Sequence, residues 1–378
     1  MLYLDNAATT PVRREVLEAM LPFLTTRYGN PSSHHTVGES AADALAEARG
    51  RVARHFGMRT SDVIFTSGGT EANNLAIKGI AIAAHSRGKN HIVTTPIEHE
   101  SILESTSYLE RVHGFDAEQV SVDSQGRLSP VALQSALRDT TALVSVGFAN
   151  NEVGTVQDAA ALVAVAHERG VPVHLDAVQA AGWLRLDDTG ADALSIAGHK
   201  FGAPKGIGVL AVRGRIPLEP LLHGGGQERG RRSGTENVAG AVGLATAFDL
   251  AAAEREESAA RVSLLRDDLI RRVLAAVPSA TLTGDPVRRL PGTASFTFAG
   301  TSGEAVLLEL ERRGVVSSSG SACAAGSDEP SHVLLALGIA PEVAQTAVRV
   351  TFSHTATGGA DDLAAAVAAS VAAVASGG

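Results

Sequence analysis

Hydrophobic and polar positions along most of the chain alternate between short apolar runs and longer stretches with helical spacing. The short runs predict strands, and the longer stretches predict amphipathic helices between them. The predicted strands are Val63–Thr66, His91–Thr95, Leu143–Phe148, Val171–Asp176, Ala193–Ala197 and Val209–Val212, and the predicted helices include Glu71–Ala84, Asp158–Arg169 and Glu236–Glu256. This alternation predicts an α/β fold with a mostly parallel sheet covered by helices on both faces.

The pattern changes after residue 256 and predicts a second, smaller unit of mixed α+β type. Its predicted elements are a helix over 261–277, a strand Ala294–Phe298, a helix Glu304–Arg313, a strand Val348–Ser353 and a helix Asp361–Ala375. We therefore predict a large domain over 13–256 and a small domain formed by 1–12 and 257–378. The small domain carries a Ser-rich loop over 317–330.

Composition and charge narrow the classes of protein that this chain can represent. A formal net charge of −9 in 378 residues argues against a general nucleic-acid binder, so no direct nucleic-acid partner is expected. A single cysteine, Cys323, excludes an intrachain disulfide framework and a multi-cysteine metal site. The histidines show no spacing with carboxylates that is typical of a metal centre, so no metal is expected.

The hydrophobic runs also bear on where the protein resides. The N-terminus, MLYLDNAATTPV, shows no basic segment followed by an apolar run, so no signal peptide is expected. No apolar stretch reaches the ~18 residues that a membrane-spanning helix needs. The expected location is the cytoplasm, which agrees with the single cysteine.

The stretch TSGGTEANN, residues 66–74, is a candidate phosphate site. It follows a predicted strand and opens a predicted helix, with Gly68 and Gly69 at the turn and Thr70 at the N-cap position. A helix that starts after such a turn presents free amide groups and the positive end of its dipole, which suit phosphate. An ordinary capped turn explains the same residues, so both interpretations stay open.

Three further positions carry candidate chemistry. Asp176 ends one predicted strand and Lys200 follows the next, at the sheet edge where ligands bind in α/β proteins. A lysine in a partly desolvated pocket can act as an amine nucleophile, although a surface lysine is the simpler interpretation. Cys323 lies among Ser, Gly and Ala in SSSGSACAAGS, which indicates a reactive thiol rather than a packed one. Together, a phosphate cradle, a carboxylate and a lysine are what pyridoxal phosphate requires.

Over nearly its whole length the sequence resembles the group I cysteine desulfurases, the NifS/IscS-like branch of the class-V aminotransferases. These are fold-type I pyridoxal-phosphate enzymes. The stretches that carry the resemblance are YLDNAATTPV, YGNPSSHH, FTSGGTEANNLAIKG, EHESIL, NNEVGTVQD, HLDAVQAAG, AGHKFGAPKGIGVL, HGGGQERGRRSGTEN, SSGSACAAGSDEPSHVL and VRVTFS. Several of them in this order are specific for the family, whereas none of them would be alone.

The resemblance implies a role for each candidate residue. Lys200 would hold the cofactor covalently and move the substrate Cα proton, and Asp176 would pair with the pyridinium nitrogen. His99 would stack on the ring and assist proton transfer. The remaining cofactor residues would be Gln179 and Asn151 at the ring oxygen, and Gly69, Thr70, His199 and, from the partner subunit, Thr235 at the phosphate. Asn30 and Arg349 would bind the substrate carboxylate, for which the arginine fork is suited.

The resemblance also implies the reaction and the partners. L-cysteine would yield L-alanine and a persulfide on Cys323, which a sulfur-acceptor protein would take for iron–sulfur cluster assembly or tRNA thiolation. A homodimer is expected. A selenocysteine lyase or another class-V aminotransferase is the nearest alternative, and the aminotransferase would not need Cys323. A Cys/His hydrolase, with Cys323 as nucleophile, is a further alternative that leaves Lys200 and Asp176 without a role.

One departure from the family pattern concerns the phosphate site. Most members of the family carry Ser-Gly-His-Lys before the lysine loop, whereas this chain has Ala197-Gly198-His199-Lys200. A hydroxyl that would donate to the phosphate is therefore missing, and we expect weaker retention of the cofactor.

Overall fold

The fold is that of a computed structural model, in which residues 1–320 and 329–377 are described. The main sheet has seven strands, with the order β2-β8-β7-β6-β5-β3-β4. These strands are β2 (Val63–Thr66), β3 (His91–Thr94), β4 (Asp116–Gln119), β5 (Thr141–Gly147), β6 (Val173–Asp176), β7 (Ala193–Ala197) and β8 (Gly208–Val212). β8 runs antiparallel to both neighbours and the other pairs are parallel, so the predicted mostly parallel sheet is confirmed.

Helices cover both faces of this sheet, as the sequence pattern predicted. They are α1 (Arg14–Thr25), α2 (Thr36–His55), α3 (Gly69–His85), α4 (Glu100–His113), α5 (Pro130–Ala136), α6 (Ala159–Glu168) and α7 (Val238–Ala276). On one face, apolar residues of α3 and α4 pack against Ile64, Ile92 and Leu143. On the other face, α1, α2, α6 and the first half of α7 form the largest core. The inner strands are therefore buried on both sides, which explains their continuous apolar runs.

The remaining described elements form two smaller sheets with their own helices. β9 (Ala280–Leu282), β10 (Thr293–Phe298) and β12 (Val348–Thr351) are antiparallel, and β1 (Leu2–Tyr3) pairs in parallel with β11 (Val315–Val316). The helices are α8 (Gly303–Arg312), α9 (His332–Ala336), α10 (Pro341–Ala344) and α11 (Ala360–Gly377). Leu4 from the N-terminus joins a core otherwise built from residues after 261. The domain boundaries given above stay a prediction.

The expected break between two helices near residue 256 was wrong. Helix α7 runs without interruption over 39 residues, from Val238 to Ala276. The charged segment AAAEREESAA reads as a boundary because it lacks an apolar stripe, but Ala, Glu and Arg are strong helix formers and no Gly or Pro interrupts them. The first half of α7 packs in the large core through Phe248, and the second half packs in the smaller core through Val262 and Leu269.

Within residues 1–320 and 329–377, no helix combines the length and the hydropathy that crossing a membrane requires.

Candidate active site

A cavity of about 270 Å³ lies at the carboxyl ends of β5, β6 and β7. This is the edge of an α/β sheet where ligands bind. Most of the predicted site residues line it: Gly69, Thr70, His99, Asn151, Asp176, Gln179, His199, Lys200 and Arg349. Three separate sequence stretches, the glycine turn, the strand-end acid and the lysine loop, therefore meet in one cavity.

Asp176 is the last residue of β6 and is only 8% exposed. Its Oδ2 accepts a hydrogen bond from Asn73 Nδ2 at 2.7 Å, and its Oδ1 accepts one from the Val178 amide at 2.9 Å. These two neutral donors fix the carboxyl group against the cavity. A buried carboxylate is costly unless a cation meets it, and a protonated ring nitrogen in the cavity would supply that charge. Asn73 was not singled out by the sequence.

Lys200 ends a short 3-10 turn, Gly198–Lys200, that follows β7. Its Nζ donates to the carbonyl oxygens of Ala7 at 2.5 Å and Ala8 at 3.0 Å. The N-terminal segment thus holds the amine at the cavity wall through neutral acceptors. A lysine amine held at the wall of a partly desolvated cavity is suited to covalent chemistry.

The candidate phosphate site lies at the start of α3, which begins at Gly69 and lines one end of the cavity. A Cβ at this position would lie 2.8 Å from Val178 Cγ2, so only glycine allows the turn to pack this closely. His199 lies beside the same site, and burial, followed by the charges of Lys200 and Lys205, lowers its pKa to about 4. A neutral imidazole and the helix N-terminus can both donate hydrogen bonds to a phosphate.

His99 is the N-cap residue of α4 and lies on the cavity wall. Its Nδ1 accepts the Ser101 amide at 3.0 Å. In the neutral imidazole the proton must then reside on Nε2, because one ring nitrogen accepts and the other carries hydrogen. The cap therefore fixes the tautomer that would stack on a ring or exchange a proton.

Arg349, on β12, is the largest fully buried side chain and reaches the cavity from the smaller core. Its Nη1 donates to the carbonyl oxygens of Asn151 and Gly320, each at 2.8 Å, and its Nη2 donates to Asp5 Oδ1 at 2.6 Å. A guanidinium held so firmly at a cavity wall is suited to bind a carboxylate. The sequence did not predict that Asp5 is its partner.

Glu98 is a second buried carboxyl group at the cavity that the sequence analysis passed over. It is 4% exposed, and its two oxygens accept from Thr95 Oγ1 at 2.5 Å and from the Gly147 amide at 2.6 Å. Burial raises its pKa to about 8, and the neighbouring charge of Asp176 acts in the same direction. Glu98 is therefore neutral at pH 7, which spares Asp176 a repulsive neighbour.

The raised pKa of Glu98 predicts a pH-dependent stability. Between the ordinary pKa of 4.5 and about 8, the unfolded chain releases this proton while the folded chain keeps it. The free energy of unfolding should therefore fall as pH rises through this window, by up to ~1.4 kcal/mol per pH unit. Glu98→Gln imitates the neutral acid and should remove that slope. Denaturant unfolding from pH 5 to pH 9 measures it, with exposed Glu104→Gln as control; parallel curves for Glu98→Gln and wild type would contradict the assignment.

Among the described site residues, Asn30 and Thr235 do not line the cavity. Asn30 is exposed, and its Oδ1 accepts the Ser32 amide at 2.9 Å, so its carboxamide serves a local turn. Thr235 is also exposed, as a residue that acts on a partner subunit would be in a single chain. Cys323 lies outside the described residues. Their roles stay predictions.

The fold and the cavity together define a pyridoxal-phosphate enzyme of fold type I. The model of the aminotransferase class-V family matches residues 2–360. A cysteine desulfurase IscS from Dictyoglomus turgidum is 45% identical over 93% of this chain and 89% of its own length. A solved NifS-like protein covers 98% of this chain and 99% of its own, with 36% identity and a TM-score of 0.91. A structure described as SspA in complex with cysteine covers 93% of this chain and 99% of its own, with 35% identity and a TM-score of 0.82.

This chain belongs to the class-V aminotransferase family. The predicted resemblance, fold class and pyridoxal-phosphate cofactor are thereby confirmed. The Cys/His hydrolase alternative is no longer needed. The residues present fit the cofactor, since a buried carboxylate, a lysine amine and a helix N-terminus that admits only glycine line one cavity.

The alanine at position 197 gives a test of the phosphate end. Ala197 is buried, ends β7 and lines the cavity beside Gly69. Ala197→Ser should slow dissociation of the cofactor about tenfold, because a hydrogen bond to a charged group contributes ~1.5–3 kcal/mol. Loss of the bound cofactor to an apoenzyme trap measures the rate. Equal dissociation rates for the serine variant and wild type would refute this explanation.

Proposed function

We propose that this protein is a cysteine desulfurase that converts L-cysteine to L-alanine and leaves the sulfur on Cys323. The observation that carries the proposal is the meeting of Lys200, Asp176 and Arg349 in one cavity. A lysine and a buried acid suit the cofactor, and an arginine opposite them suits the carboxylate of an amino acid. The names of the relatives agree with this activity.

When bound, pyridoxal phosphate supplies an electron sink that stabilises negative charge at the substrate Cα. The side chains around the cavity supply the charge pairing and the proton transfers. Asp176 would supply the negative charge that pairs with the protonated ring nitrogen of the cofactor. Lys200, whose Nζ is held by the carbonyl oxygens of Ala7 and Ala8, would bind the cofactor and accept the Cα proton of the amino acid. His99 offers Nε2 for proton exchange because Nδ1 is engaged with Ser101.

Sulfur transfer requires the thiol of Cys323 to reach the substrate. Its thiolate attacks the substrate Sγ, an S–S bond forms, and the Cβ–S bond breaks with its electron pair remaining on carbon. Cβ then takes a proton, and alanine leaves. Gly320 and Ser331, described residues that precede and follow Cys323 in the sequence, both contact the cavity wall. The Gly320 carbonyl oxygen accepts from Arg349, and Ser331 Oγ donates to Glu152, and both partners line the cavity. These contacts support the proposal that the thiol of Cys323 reaches the substrate.

The finer parts of the proposal concern partners and location. Because a persulfide sulfur is transferable, we expect an acceptor protein of iron–sulfur cluster assembly or of tRNA thiolation. We also expect a homodimer in which Thr235 of one subunit reaches the cofactor phosphate of the other. Asn30 is expected to contribute to the site that binds the substrate carboxylate. The expected location is the cytoplasm.

Product analysis distinguishes this activity from its alternatives. Wild-type protein loaded with pyridoxal phosphate should form L-alanine and sulfide from L-cysteine with dithiothreitol, whereas Cys323→Ala should form neither. An aminotransferase would instead yield a keto acid and would be indifferent to Cys323→Ala. A selenocysteine lyase would release alanine from selenocysteine in that variant and show little turnover of cysteine. Either of these outcomes would replace the proposal.

A further inference from the structure

The guanidinium of Arg349 is already bound to a carboxylate of the same chain. Asp5, which precedes the segment that holds Lys200, accepts from Nη2 at 2.6 Å. The Arg349 side chain is 2% exposed and the Asp5 side chain is 19% exposed. The charged partner of this buried arginine can therefore turn toward water, whereas the arginine itself cannot.

The contacts of Arg349 differ between the edges of its guanidinium. Nη1 is engaged by the carbonyl oxygens of Asn151 and Gly320. Nε has no hydrogen-bond partner within the part of the chain that the structure describes, although it is buried. A carboxylate binds arginine best through two adjacent N–H groups. The edge formed by Nε and Nη2 offers such a pair, but Asp5 takes one of its two donors.

The inference rests on the proposed function, in which Arg349 binds the substrate carboxylate. We propose that Asp5 is an internal competitor: it occupies Arg349 in the free enzyme, and the α-carboxylate of the amino acid displaces it. The substrate then gains both donors of the edge, and Asp5 turns to solvent. Asp5 thereby lowers the affinity of the site for carboxylates in general, including the α-carboxylate of the substrate.

The surroundings indicate that Arg349 does not need Asp5 to stay in place. The two carbonyl acceptors on Nη1 hold the guanidinium from the other edge. The backbone next to Asp5 is anchored independently, because Asn6 Nδ2 donates to the Thr351 carbonyl at 2.7 Å and the Ala7 amide donates to Thr351 Oγ1 at 2.9 Å. Neutralising Asp5 should therefore release the arginine charge without moving the arginine.

The test measures binding of propionate, which has a carboxylate but no amino group, to the enzyme loaded with pyridoxal phosphate. Asp5→Asn should lower the dissociation constant of propionate at least about fivefold, because it frees a charge-assisted donor. The matched control is Glu254→Gln, which removes a carboxylate from Arg13 outside the cavity and should leave propionate binding unchanged. Unchanged or weaker binding by Asp5→Asn at an unchanged melting temperature would show that Asp5 only positions Arg349, and would overturn the proposal.

A second measurement uses the unmodified enzyme. In a crystal structure with propionate, the ligand should contact Nε and Nη2 of Arg349, and the contact between Nη2 and Asp5 should be broken. A structure in which Asp5 and propionate share the guanidinium would also overturn the proposal. Propionate binding requires the carboxylate site but neither the chemistry of Lys200 nor the thiol of Cys323. A wild-type enzyme that makes no alanine from L-cysteine would therefore refute the proposed function, while the two propionate experiments would still test the role of Asp5.

Discussion

Lys200→Ala should lower kcat/KM for L-cysteine by about 10⁴-fold or more, the loss expected when one residue serves both covalent attachment and proton transfer. The lysine is half-buried just after β7, and its Nζ donates to the backbone carbonyl oxygens of Ala7 and Ala8. Removing those contacts should cost only ~1 kcal/mol each, so the variant should fold. The visible absorbance that marks the covalent bond between Lys200 and the cofactor should disappear.

The matched control for this experiment lies in the same loop. Lys205 is exposed five residues further on, so Lys205→Ala should keep both the absorbance and the turnover of wild type. Steady-state kinetics and absorbance spectra of the two variants together measure the effect. Substantial alanine formation by Lys200→Ala, with the cofactor bound, would assign the proton transfer to another group.

Asp176→Asn should lower kcat by about 10²–10³-fold, the range seen when one preorganised electrostatic partner is removed. An amide at this position can still accept from Val178, but it carries no charge to hold a ring nitrogen protonated. The loss should therefore appear in kcat rather than in KM, and cofactor analogues that carry a permanent positive charge on the ring nitrogen should restore part of it.

Asp192 provides the control for loss of a buried carboxylate. It lies at the opposite end of the same sheet, just before β7, and pairs with Arg215. Asp192→Asn should lower the melting temperature but leave kcat within about twofold of wild type, because it lies outside the cavity. Equal losses of kcat in the two variants would show that Asp176 acts through stability and not through the cofactor.

The sequence predicted six of the seven strands of the main sheet, because a buried strand is a short apolar run between turn residues. It missed β4, Asp116–Gln119, which has no buried residue and therefore no apolar run. Val63–Thr66 and Ala193–Ala197 match the observed bounds. The helices were harder to predict from the sequence pattern. α2 buries mainly Ala and Gly, including Ala41, Ala44 and Ala48, and such small residues give little hydrophobic periodicity.

Motifs local in the chain predicted Lys200, Asp176 and the glycine turn, and the structure brings these together. The sequence did not predict the residues that hold these side chains in place. Asn73 and Asp176 are 103 residues apart, and Asp5 and Arg349 are 344 residues apart. Contacts between such distant positions arise from tertiary packing, which no local spacing records. The buried state of Glu98 was hidden for the same reason, since a glutamate between Ile97 and His99 reads as a surface residue.

The central claim is that sulfur leaves L-cysteine through the thiol of Cys323. The most direct measurement is the mass of the peptide that contains Cys323 after brief incubation of the loaded enzyme with L-cysteine and without reductant. The account predicts one added sulfur atom on that peptide and an equal amount of L-alanine in solution. Alanine formed with an unmodified Cys323, or no alanine from an enzyme that holds its cofactor, would contradict it.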